Sequence, residues 1–172
     1  MLCRYCIYGL VVTLSLLAVA RTQPLKDDKN FPVLNELQWE TSLDSTRKIF
    51  ESRNILESST DSIVVGRMNY FGFPTRVEIA FYRGSAGMRS VNVKFKNPTR
   101  AIEDTLVNHF TQLANRAPVR QTKEKSLLIM TLKMEIAIWK LSSGTVLLVT
   151  GKRNEEIFDL YLSLLPPSKE KG

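Results

Sequence analysis

The 172-residue chain holds a single histidine, His109, and two cysteines, Cys3 and Cys6. A Ser-His-Asp triad would have to be built on His109, and no serine sits in a strand-turn nucleophile motif. His109 falls three residues after Leu106 and four before Leu113, at the edge of an apolar helical stripe. A lone histidine there reads as a packed side chain with one hydrogen bond. Zinc needs several Cys or His ligands together, and both cysteines lie ahead of the first apolar run. The acids offer two adjacent pairs, Glu103-Asp104 and Glu155-Glu156. Glycosidic chemistry would require two carboxylates facing each other across a cleft. The first pair opens a predicted helix, where the macrodipole favours acids, and the second sits in a turn. Gly84-Ser85-Ala86-Gly87 is followed by neither a helix nor a Lys-Ser/Thr pair, so it reads as a hairpin loop and not a phosphate cradle. The expectation is a non-enzymatic protein without cofactor or metal. A carboxylate-pair hydrolase is the enzymatic alternative, and a closed pocket lined by two acids from different strands would mark it.

Binding chemistry has a better candidate. Arg76, Tyr82, Asn92 and Lys94 occupy the solvent-facing positions of two alternating runs, with Arg83, Arg89 and Lys96 near their ends. Basic residues interleaved with an aromatic can hold an acidic protein, a glycan or a nucleic acid strand. The candidate binding residues are Arg76, Tyr82, Arg83, Asn92 and Lys94. An ordinary solvated sheet face, where Lys and Arg also discourage edge pairing, would use the same residues. The aromatic pattern of RNA-binding sheets is absent, which argues against nucleic acid. Arg120 to Lys125 is a second basic segment and reads as a loop.

The element that positions these residues is a hairpin from Thr75 to Phe95. Thr75, Val77, Ile79 and Phe81 alternate with polar neighbours, as do Val91, Val93 and Phe95 after the glycine-bearing loop. Period-two alternation makes one face dry and one wet. A strand from Ile63 to Phe71 precedes it, with Gly72 and Pro74 marking the turn. A first helix is predicted from Ser42 to about Asn54, capped by Thr41 or Ser42, with Leu43, Thr46, Ile49 and Phe50 as its stripe. Trp39 should pack back on the sheet. A second helix runs from Thr99, with Ile102, Leu106, Phe110, Leu113 and Ala117 in line and Pro118 closing it. Strands are then predicted over Leu127–Leu132, Met134–Leu141, Thr145–Thr150 and Ile157–Leu164, the last burying Phe158, Leu160, Leu162 and Leu164. No internal repeat is visible. Runs of strands with few helices give an α+β fold: an antiparallel sheet of about six strands with two helices on one face, in the order α-β-β-β-α-β-β-β.

Export is predicted from the first twenty residues. Arg4 precedes an apolar run from Ile7 to Val19 that ends in Ala18-Val19-Ala20, a small-x-small cleavage pattern. The run is shorter than the roughly 20 residues a spanning helix needs, so no transmembrane segment is expected after cleavage. The predicted organisation is a signal peptide over 1–20, a flexible leader over 21–36, one α+β domain over 37–167 and a charged tail over 168–172. Losing Arg4 lowers the formal charge from the +7 of the whole chain to +6, a modest pull towards acidic partners. The mature chain has no cysteine, and Asn97-Pro98-Thr99 is excluded as a glycosylation site by its proline. Both features suit a bacterial periplasm or the outside medium.

A Trp ahead of a capped helix, followed by Phe73-Pro74-Thr75-Arg76-Val77-Glu78-Ile79-Ala80-Phe81, resembles small exported bacterial proteins and lipoproteins. These read as Trp-x-x-Ser, helix, Gly-x-Pro, two strands, helix, strands. In architecture they are like the beta-lactamase-inhibitor-protein and the small outer-membrane-assembly lipoproteins. The chain lacks the acylated cysteine of the lipoproteins, and it lacks the disulfides and tandem repeats of the inhibitors. The resemblance implies a binding or assembly module whose partner is another envelope or extracellular protein. Binding of acidic glycan or lipid headgroups through the basic sheet face is the alternative.

Overall fold

A computed structural model describes residues 35–83, 87–127 and 130–167. The predicted signal peptide, most of the predicted leader, the tip of the central hairpin and the predicted charged tail lie outside the described residues. Two helices, α1 (Leu43–Ser52) and α2 (Arg100–Ala114), each precede four antiparallel strands. The first set is β1 (Leu56–Ser59), β2 (Ile63–Tyr70), β3 (Phe73–Phe81) and β4 (Met88–Phe95). The second is β5 (Val119–Leu127), β6 (Met130–Leu141), β7 (Gly144–Arg153) and β8 (Glu156–Leu165). All eight form one sheet in the order β1-β2-β3-β4-β8-β7-β6-β5. The topology is therefore a helix-plus-meander unit used twice, joined where β4 pairs with β8.

The α+β class, the antiparallel sheet and the two helices are as predicted, but there are eight strands where about six were expected. β1 is four residues long and does not alternate, so it carries no period-two signal. β5 contains the basic segment that reads as a loop. It is an edge strand, exposed from Val119 to Ser126, and its pairing with β6 instead of an apolar pattern makes it a strand. The predicted break at Lys133 is absent, because β6 runs unbroken through it; Lys133 turns to the helix side, where its ammonium pairs with the Glu135 carboxylate at 2.7 Å.

Local signals set the helix ends. The Ser42 hydroxyl caps α1 by accepting from the Ser45 N–H at 3.2 Å, and Thr99 caps α2 through the Ile102 N–H. α2 stops at Ala114 because Asn115 turns left-handed at φ 50° and its N–H bonds back to Gln112. Leu113 is consequently half exposed, and Ala117 lies beyond the helix on the surface. Two-residue turns with both residues left-handed join β2 to β3 at Phe71-Gly72 and β7 to β8 at Asn154-Glu155, the hand that matches strand twist.

Both helices lie on one face. Phe50 of α1 sits directly on Gly66, where an added Cβ would come within 2.6 Å of its ring. Phe110 of α2 packs against Trp139 with ring centroids 5.7 Å apart. Between them Val77, Ile79, Val91, Val93, Leu160 and Leu162 floor the core. Trp39 does pack back as expected: its indole N–H donates to the Ser143 carbonyl at 2.9 Å, and its own carbonyl accepts from the Met88 N–H. Asn35 and Glu36, assigned to the leader by sequence, are described in the fold, and Glu36 pairs with Arg53.

Candidate binding face

The face away from the helices is built by the same register that builds the core. Strand pairing sets its residues in rows across the whole sheet. One row runs Val65, Glu78, Asn92, Ser163, Leu147, Ile138, Val119. The next runs Arg67, Arg76, Lys94, Tyr161, Val149, Ile136, Gln121. Each row is polar or charged over β3 and β4 and apolar over β7 and β6; at β5 the first ends in Val119 and the second in Gln121.

The charged half is internally matched. Glu57 receives Arg67 at 2.7 and 3.0 Å and Arg76 at 3.3 Å. The Arg67 hydrogen bond, ahead of the other effects, holds the Glu57 carboxyl down to about 2, and Glu57 in turn raises Arg67. Arg76 also lies 3.9 Å from Glu78, and Lys94 pairs with Asp159 at 3.2 Å. Of the residues predicted as a binding set, Arg76 and Lys94 thus belong to ion pairs within the sheet. Asn92 accepts a hydrogen bond from the Ser163 hydroxyl at 2.8 Å.

Tyr82 and Asn92 come together with residues that the sequence reading left out. They line an open groove of about 1020 Å³ with a floor of small side chains, Ala80, Ser90 and Ser163, and walls that include Trp39 and Pro166. Arg89 also lines it, whereas Arg76, Arg83 and Lys94 do not. Its lining on β8 is Ser163 and Leu165, whose partners on β7 are Leu147 and Thr145.

Beyond that border lies the surface that sequence reasoning missed. Val149 is buried to 6% exposure although it points away from the helices. Ile136, Ile138 and Leu147 around it are half-buried, while Val119, Met134 and Phe158 stand up at its margins with 65%, 45% and 53% exposure. Phe158 was predicted to be buried with Leu160. A bulge between Gly151 and Lys152 in the β7–β8 pairing puts Ile157 on the core and turns Phe158 outward, where the Arg153 guanidinium stacks at 5.6 Å from its ring. A signal for this surface was present: Ile136-Ala137-Ile138-Trp139 and Val146-Leu147-Leu148-Val149 do not alternate.

The titratable groups on the helix side form a separate cluster. Glu103, placed by sequence in the first turn of the second helix, is buried and accepts from the Thr150 hydroxyl at 3.0 Å. Lys152 lies 3.7 Å from Glu103 and 2.6 Å from Glu135, bridging helix and sheet. Burial alone would raise the Glu135 carboxyl, but hydrogen bonds from Lys133 and Lys152 outweigh it and hold it low. Beside this network, Glu103 and the Glu155-Glu156 turn share a hollow of about 290 Å³ with Lys152, so one acid of the first sequence-adjacent pair meets the second pair, while Asp104 does not line it. A lysine stands between the carboxylates Glu103 and Glu135, the arrangement of a structural ion network. His109 lies edge-on to Phe71 and Phe110 at 4.8 and 5.0 Å. Among the described residues no three His, Cys, Asp or Glu gather as metal ligands, and no helix is long and apolar enough to cross a membrane.

Comparison with family models, with curated proteins and with solved structures finds no match.

Proposed function

We propose that the chain is an exported, non-enzymatic binding or assembly module. It would hold another protein of the envelope or outside medium on the outward face of β5–β8. The observation that carries this reading is the absence of alternation in β6 and β7. A solvated antiparallel face is normally polar at every second residue, yet here those positions are Ile136, Ile138, Leu147 and Val149. Apolar patches of this kind on a folded surface mark interaction sites. The neighbouring groove, with Tyr82 and Asn92 in it, supports the reading by extending the same face towards β3. The likeness to small exported binding and assembly proteins points the same way.

The test is capture from envelope and culture-medium extracts at low and high salt. The bait is the chain from Arg21 to Gly172, compared with its Leu147→Asp and Arg76→Glu variants. A discrete protein retained by the parent and Arg76→Glu but lost by Leu147→Asp is the expected result. Retention spread over acidic material, lost with Arg76→Glu and at high salt, would assign the function to the basic face instead.

A further inference from the structure

The chemistry of the apolar face specifies its occupant. Resting on the binding-module reading, we infer that the occupant is an acidic amphipathic helix of the partner protein, laid across β5–β8 opposite α2.

Three observations carry this. The first is charge. Around the apolar floor the outward positions are Lys123 and Lys125 on β5, Lys140 at one end and Arg153 at the other. Among the described residues the acids at outward positions of these four strands are Asp159, which Lys94 holds, and Glu156, which register sets opposite Arg153. An apolar stripe flanked by carboxylates answers that fringe. A second copy placed face to face would set the same four cations against their counterparts. The second observation is shape. Val149 is recessed, and Val119, Met134 and Phe158 rise around it, so the surface is a shallow trough. A raised apolar rim around a recessed floor receives a ridge along its length. The third is size. Four strands span roughly 14 Å between the outer two, against a helix diameter of about 10–12 Å. On the opposite side of these strands a single helix, the 15-residue α2, packs on β6 and β7 through Ile102, Leu106 and Phe110. Residues two apart on a strand are separated by about 7 Å, close to the ~6 Å rise between i and i+4 of a helix. Leu147 and Val149 can therefore take successive anchors of one stripe.

The experiment uses the chain from Arg21 to Gly172 with methyl-labelled Ile, Leu and Val. The probe is a synthetic Leu/Glu amphipathic helix of about 18 residues, long enough to hold helical structure in water, and its twin has Lys at every Glu. The acidic helix should shift the Ile138, Leu147 and Val149 methyls and bind at least ~tenfold more tightly than the basic twin, with the preference fading in high salt. Leu147→Asp should weaken it by roughly tenfold or more. Should that variant fail to fold, Lys123→Glu with Lys125→Glu on the exposed edge strand should shift the preference towards the basic twin. Equal binding of both helices, or of neither, overturns the inference. So do shifts of the same methyls by anionic phosphatidylglycerol vesicles but not by the helix, or by self-association on concentration. If Leu147→Asp abolishes capture of a natural partner while the acidic helix does not bind, the occupant is wrong and the binding face stands. If capture survives Leu147→Asp, the binding-face reading itself fails.

Discussion

The two halves of this sheet share a topology and a core yet differ on their outward surface. Inside, each half seats one helix through a phenylalanine: Phe50 over Gly66 in the first, Phe110 against Trp139 in the second. Outside, the first half is charge-matched: Glu57 and Glu78 answer Arg67 and Arg76 within it, and Asp159 of the adjoining β8 answers Lys94. The second half leaves a trough of aliphatic side chains with a cationic fringe. A surface that satisfies itself needs nothing further, while an apolar surface is improved by cover. On one continuous sheet, charge that stands out in sequence is matched by ion pairs over one half, while residues that resemble core line the outward face of the other.

The sharpest way to break the comparison is from inside. If the halves are equivalent units under their helices, Phe50→Ala and Phe110→Ala should each destabilise by about 3–5 kcal/mol, read by urea unfolding. A large loss at one and little at the other would show that one helix is dispensable. Next in size is the ion network that the second half alone carries on its helix side. Lys152→Met leaves Glu103 and Glu135 without the cation between them and should cost about 3 kcal/mol. Stability equal to the parent would remove that network from the account of how α2 is held.

Smaller effects sharpen the contrast outside. Leu147→Asp or Ile138→Asp should change the stability of the isolated chain by less than about 1.5 kcal/mol and still abolish partner capture; a collapse of the fold would mean these side chains serve the core. The first half should respond to acid. The Glu57 carboxyl sits at about 2 in the fold against an ordinary 4.5, so its contribution is fully present above 4.5 and is lost as pH falls from 4.5 towards about 2. Glu57→Gln should flatten that part of the acid-unfolding curve, and an unchanged curve would show that the Arg67 and Arg76 pairs are not maintained in solution.

Much of the fold was legible because its signals are local. Ser42 and Thr99 cap where their side chains can reach N–H groups three residues on, and Thr75 to Phe95 alternate because one side meets the core. What escaped were features with no local signature. β5 is made a strand by β6, not by its own polar sequence. Phe158 faces outward because one bulge changes the parity of β8. The groove was half legible: Tyr82 and Asn92 were found through alternation on the central hairpin, while Ser163 and Pro166 reach it from a strand 71 residues from Asn92 in the case of Ser163.

The sequence by itself determined the secondary structure of the hairpin and both helices, the dry face of β3 and β4, and the antiparallel α+β class, since each follows from periodicity, capping and turn chemistry over a few residues. Tertiary structure decided which cations meet acids, that Glu103 is buried against Thr150, and that no helix among the described residues covers the apolar second side of β6 and β7. Those outcomes depend on strand order and register. The pairing of β4 with β8 joins two meanders edge to edge and spreads both outward faces into one surface, and a one-dimensional pattern holds no record of which strand will lie beside which.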